Sequence, residues 1–115
     1  MTLTRLLGAL RSEELERFSA ETLGALSAYD LRTGGLLLNT LEVYADCGSA
    51  TETARRLRTH RNTVRYRLAR AEALLGAELA DAEVRLRVAV ALRVQRLVAV
   101  RRAAEFVQSI QRRPA

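Results

Sequence analysis

"SATETARRLRTHRNTVRYRLARAEALLG", residues 49–76, decides how this chain is read. Ser49-Ala50-Thr51-Glu52 has the composition of a capping box: the serine hydroxyl accepts from the Glu52 amide while the glutamate carboxylate reaches back. The helix it opens is short, because its apolar residues are only Ala50, Ala54 and Leu57. A break at 58–60 follows, and a second helix begins at Arg61. Val64, Leu68, Ala71 and Leu75 recur along it at i, i+4, i+7 and i+11, which makes one buried stripe, and Gly76 ends it. A short helix, a brief break and a longer helix is the spacing of a helix-turn-helix.

The same stretch concentrates positive charge. Arg55, Arg56, Arg58, Arg61, Arg65, Arg67 and Arg70 supply seven of the nineteen basic residues, and no acid stands between Glu52 and Glu72. The net charge of +6 is also uneven: residues 1–54 sum to −4 and residues 55–115 to +10. Basic character confined to one half implies a polyanionic partner for that half and a different task for the other. Every basic residue is arginine, whose planar fork of donors suits phosphates and guanine edges.

Several function classes are excluded. At 115 residues the chain is one domain, able to bury a single core without staples. Residues 1–10 do not resemble a signal peptide. The most apolar late segment, 84–100, is interrupted by Arg85, Arg87, Arg93 and Arg96, so it does not span a bilayer. Cys47 is the only cysteine, which rules out an intrachain disulfide and fits a reducing cytoplasm. His60 and Cys47, thirteen residues apart, do not make a metal site. With no nucleophile–base pair, no pocketed carboxylate pair and no phosphate loop, the chain reads as neither an enzyme nor a cofactor binder.

The remaining segments read as helix, giving an all-α bundle with a long closing C-terminal helix. Leu3, Leu6, Leu7 and Leu10 open the chain at helical spacing. Ser12 with Glu13 and Glu14 marks a helix start, and Ser19 with Glu21 marks the cap of another short helix running to about Tyr29. "DLRTGG", 30–35, reads as a turn. Leu37, Leu38, Leu41, Tyr44 and Ala45 define a helix that ends near Gly48. Residues 84–94 alternate at period two, as a strand does, yet a lone strand would leave its backbone unpaired, and Asp81 with Glu83 is a good helix start. Helix is therefore expected. The division is into residues 1–33, an N-terminal helical segment serving as a dimer contact or, as a family resemblance implies, the tail of a sensory region, and residues 34–115, the domain that holds the helix-turn-helix.

On a helical wheel the stripe of the second motif helix centres at about 310° when Arg61 is set at zero, so the outward face centres at about 130°. Asn62, Thr63, Tyr66, Ala69 and Arg70 fall on or near that face, with Arg61, Arg65 and Arg67 toward its flanks. Short polar groups in the middle with cations on either side suit a major groove, where base edges lie between two phosphate walls. Candidate DNA-contacting residues are Thr51, Arg55, His60, Arg61, Asn62, Thr63, Arg65, Tyr66, Arg67 and Arg70. His60 serves as a helix cap or a phosphate contact, and Tyr66 as a packing residue or a DNA contact. The expected partner is duplex DNA, bound by a homodimer, since one recognition helix reads few base pairs. The competing reading is a helical module that binds an acidic protein.

"ETARRLRTHRNTVRYRLARAEALLG" resembles the C-terminal helix-turn-helix of PucR- and CdaR-type bacterial transcriptional regulators, and "HRNTVRYRL", 60–68, is the most specific part. The likeness extends from near Tyr29 to near Val98 and includes the helices before and after the motif. It implies sequence-specific DNA binding in transcriptional control, a helix at 84–97, Ala54 at the helix crossing and Leu57, Val64 and Leu68 in the core. Two positions depart from the pattern. Thr59 stands where an aliphatic turn residue is usual, implying looser packing, and Arg58 stands at a position often His or Gly.

Overall fold

The apolar periodicity resolves into five helices in a computed structural model that describes residues 2, 5 and 11–112. They are α1 (Ser12–Thr33), α2 (Leu37–Cys47), α3 (Ala50–Leu57), α4 (Arg61–Leu75) and α5 (Ala82–Gln111), with no strand among the described residues. Leu3, Leu6, Leu7 and Leu10 lie outside the described residues.

The first half differs from its sequence expectation. Ser19 does not cap a second helix, because α1 runs unbroken for 22 residues and Ser19 is buried inside it. Its hydroxyl donates to the Ala91 carbonyl of α5 at 3.4 Å, a partner 72 residues away that replaces the local cap. The turn expected over 30–35 is shorter too, since the helix holds through Thr33 and stops at Gly34. Gly34 takes the left-handed conformation (φ 67°) that glycine adopts without a Cβ penalty, and its amide donates to the Asp30 carbonyl at 2.9 Å.

Asp30 joins α1 to α2. Its two carboxylate oxygens accept from the amides of Leu37 and Leu38, both at 3.1 Å, so a residue still inside one helix caps the start of the next. The approach is close at Gly35. A Cβ there would lie 3.0 Å from both Asp30 Oδ1 and Thr33 Oγ1.

The closing segment is one helix of 30 residues, opened by Asp81, whose carboxylate accepts from the Glu83 amide at 2.9 Å. Its alternating pattern does not mark two sheet faces: Val88, Ala91 and Val94 are buried along one side, while Leu86 is 64% exposed. α1 lies along α5, α2 and α4 pack against that pair, and α3 packs against α2 and α4. Leu23 and Leu26 of α1 meet Leu41, Val64, Leu68 and Ala91 in one core, and Leu15 with Val94 extends it along the α1–α5 seam. Each fully buried leucine contributes about 2 kcal/mol of apolar burial, so α1 is part of the domain's core. The chain measures 54 × 30 × 24 Å, elongated because the last turns of α5 run beyond the bundle, exposed from Arg102 onward.

Candidate nucleic-acid interface

The geometry of the helix pair starts at Ser49. Its hydroxyl accepts from the Glu52 amide at 3.2 Å, which is the serine half of the expected box. The glutamate half does not form. Glu52 turns instead to Arg55 (2.9 Å from Nε) and Arg56 (3.1 Å), and a carboxylate with two cationic partners has little to gain from a neutral amide. The Arg55 hydrogen bond, followed by that of Arg56, lowers the Glu52 pKa from 4.5 to about 2.

Between the helices the chain turns on Arg58, which is left-handed at φ 55°, ψ 45°. The Thr59 amide donates to the Ala54 carbonyl at 3.0 Å, closing the end of α3. A non-glycine residue in this conformation costs about 1–2 kcal/mol, which accounts physically for the glycine often found here in the resembling family. His60 then caps α4, its Nδ1 accepting from the Asn62 amide at 2.9 Å. Ala54 and Val64 are buried where α3 and α4 meet the core, at 6% and 0% exposure.

These contacts fix which side of α4 is free. Val64, Leu68 and Ala71 are buried, Leu75 is half-buried, and Arg61, Asn62, Arg65, Tyr66, Ala69 and Arg70 are exposed. Thr63 is half-buried at the edge of that face. Tyr66 is 65% exposed, so the protein core does not use its ring. Thr51 is exposed on the first turn of α3.

The cations divide into two groups that charge counting does not separate. Arg55 is held by Glu52, and Arg56 bridges Glu52 and Asp46. Arg67 is half-buried and leans on α2, its Nη1 donating to Thr40 Oγ1 at 3.4 Å. The guanidinium of Arg70 lies over the Tyr29 ring of α1, 5.3 Å from its centroid. Arg58, Arg61 and Arg65 are exposed and have no side-chain partner among the described residues. Arg58 was not among the sequence candidates. The signal that pointed to it is its place in the break, with no acid at helical reach on either side.

Elsewhere the described residues contain no group of three or more His, Cys, Asp or Glu able to hold a metal. Among the described residues no helix is long and apolar enough to cross a membrane. Cys47 Sγ sits 3.2 Å from Thr53 Oγ1 beside the start of α3.

A short capped helix, a tight left-handed turn and a longer helix with one exposed polar face define a helix-turn-helix protein. The chain belongs to the family of the PucR C-terminal helix-turn-helix domain, whose model matches residues 37–94, from the start of α2 into α5. It is 46% identical over 94 residues to a purine catabolism regulatory protein of Bacillus subtilis, an alignment covering 81% of this chain and 18% of that protein. It is 40% identical over 84 residues to an uncharacterised protein from the pkwA 5′ region of Thermomonospora curvata, covering 72% of this chain and 46% of that protein. The chain thus spans less than half the length of either relative. No solved structure matches it significantly. The family is a transcriptional-regulator domain of the DNA-binding class, not an enzyme class.

Proposed function

We propose that α4 enters the major groove of duplex DNA and reads a specific site for transcriptional control. The observation that carries this reading is the outer face of α4. Asn62 and Tyr66 stand exposed beside the unpartnered guanidiniums of Arg61 and Arg65, while Val64, Leu68 and Ala71 lock the opposite side into the core. Asn62 is assigned to base recognition, because its amide can pair with both exposed edges of adenine, and Thr63 and Tyr66 lie beside it. Arg58, Arg61 and Arg65 meet phosphates, which set register without carrying sequence information. His60 shapes the start of α4, and Thr51 and Arg55 of α3 face the backbone beside it. In this reading residues 34–115 carry the principal DNA contacts, α1 braces them, and the chain works in the bacterial cytoplasm, where the chromosome lies.

Two copies act together in this reading. One recognition helix covers too few base pairs for useful specificity. The far end of α5 also exposes Val100, Phe106, Val107 and Ile110, a face suited to pairing with its counterpart. Identity to the Bacillus protein resides in this module, so it supports a shared mode of DNA recognition and not a particular set of controlled genes.

The test begins with selection of bound duplexes from a random pool, followed by titration on the selected and a scrambled duplex at several salt concentrations. Asn62→Ala is expected to lose about 1–3 kcal/mol on the selected site and little on the scrambled one. Arg65→Ala is expected to weaken both alike. Equal losses for Asn62→Ala on both duplexes would show that Asn62 does not read bases. Duplexes carrying one or two half-sites in the same titration report whether two copies bind together.

A further inference from the structure

Tyr29 of α1 carries two guanidiniums. Arg70 comes to its ring from α4 at 5.3 Å, and Arg32, one turn further along α1, comes to the same ring at 5.7 Å. Both arginines are exposed, and neither has a carboxylate partner among the described residues. The acid nearest Arg32 in sequence, Asp30, has both oxygens committed to the Leu37 and Leu38 amides, and the one nearest Arg70, Glu72, accepts from the Leu79 amide.

Two like charges gathered at one aromatic ring repel each other, and each cation–π contact at an exposed site is worth only about 0.5–1 kcal/mol. A cation in the last turn of α1 also complements that helix's dipole, but this needs Arg32 alone and does not explain why Arg70 reaches across from α4. The pair has a direct use if an anion is held by the two guanidiniums. The two Cζ atoms are no more than about 11 Å apart, the most that their ring distances allow, so both can reach the same stretch of phosphate backbone. Arg67 lies on the same flank of α4 and is anchored to Thr40 at the start of α2, so the α1–α2 corner stands against the wall of the reading face.

We propose that Arg32 and Arg70, held by Tyr29, form a phosphate clamp at the α1–α2 corner that extends the DNA interface beyond the helix-turn-helix. The clamp takes the backbone of the same duplex that α4 enters, and so rests on the reading given under Proposed function. Tyr29 is the positioning residue: half-buried against the core, it fixes where both guanidiniums stand. Arg32 belongs to the N-terminal segment that charge counting sets apart as acidic.

The experiment is a salt titration of the full chain on random duplex, with log K plotted against log salt concentration. Arg32→Ala is expected to flatten the slope by about 0.9, one phosphate contact, and to lower affinity on selected and random duplexes alike. Arg17→Ala removes the same charge about 22 Å away along α1 and is expected to leave the slope unchanged. Tyr29→Leu, which keeps an apolar side chain against the core, is expected to flatten the slope as much as Arg32→Ala or more. If Arg32→Ala keeps the parental slope while the parent binds DNA, the clamp is overturned and the groove reading stands. If Arg17→Ala flattens the slope equally, the effect is one of net charge and the clamp is again overturned. If the parent fails to bind any duplex, the groove reading falls and the clamp falls with it.

Discussion

Replacing Asp30 tests the joint that sets α1 against the DNA-binding helices. Its two oxygens are the acceptors for the first amides of α2, at 3.1 Å each, in a partly buried corner where Leu37 is 2% exposed. Removing a partner from a buried amide costs about 1–3 kcal/mol. The corner is partly open, so water replaces some of each bond. A negative charge at the start of α2 adds about 0.3–1 kcal/mol, and alanine returns a few tenths through its better helix propensity. Asp30→Ala should therefore destabilise by about 2–3 kcal/mol, equivalent to a fall in melting temperature of about 10 °C for a domain of this size. Asp30→Asn keeps one acceptor oxygen and loses the charge, and should cost about half as much. Thermal melts followed by circular dichroism, with urea titrations as a check on two-state behaviour, measure both. An alanine variant melting within 2 °C of the parent would show that Asp30 does not hold α2. Equal losses in the two variants would assign the effect to charge and not to the paired acceptors.

Other consequences of the same geometry can be measured. Ser49→Ala removes the acceptor for the Glu52 amide and should cost about 1 kcal/mol, with a modest loss of DNA affinity, because α3 braces α4; an unchanged melting temperature would contradict the cap. Ala54→Leu places three more heavy atoms at a position only 6% exposed and should cost about 1–3 kcal/mol; a variant as stable as the parent would mean that α3 and α4 do not cross there. The lowered pKa of Glu52 means that this carboxylate favours the folded state above about pH 4.5, and that the contribution is lost as pH falls toward 2. Glu52→Gln should therefore flatten the decline of melting temperature with acid between those limits, and superimposable profiles for the two proteins would refute the assignment.

The helix-turn-helix was legible because its determinants are local. The Ser49 bond spans three residues and the His60 bond two, and the core stripe of α4 repeats within single turns. Such features are present in any short window of the chain. The first half was misread at Ser19 for the opposite reason. Ser19 with Glu21 carries a cap signature, but the hydroxyl's partner is a carbonyl on α5, and only the packed structure brings the two together. Asp30 shows the same limit at shorter range: seven and eight residues separate it from the amides it caps, more than a turn motif covers.

The site was legible in its residue types and less so in their availability. A run of seven arginines looks uniform in sequence, since each carries the same charge and the same five donors. Folding makes them unequal. Arg55 and Arg56 spend donors on Glu52 and Arg67 on Thr40, while the Arg70 guanidinium lies over a ring that comes from 41 residues upstream. Arg58, Arg61 and Arg65 keep theirs free, and they lie at the turn and along the first half of α4. That end of the helix is where a major-groove reader places its base contacts. Arg67 and Arg70 also tie α4 to α2 and α1, and Arg56 ties α3 to α2, contacts that help hold the orientation in which Asn62 and Tyr66 face outward. Part of the positive charge thus organises the exposed face of α4, and Arg70, held over the Tyr29 ring, serves both that packing and the proposed phosphate clamp.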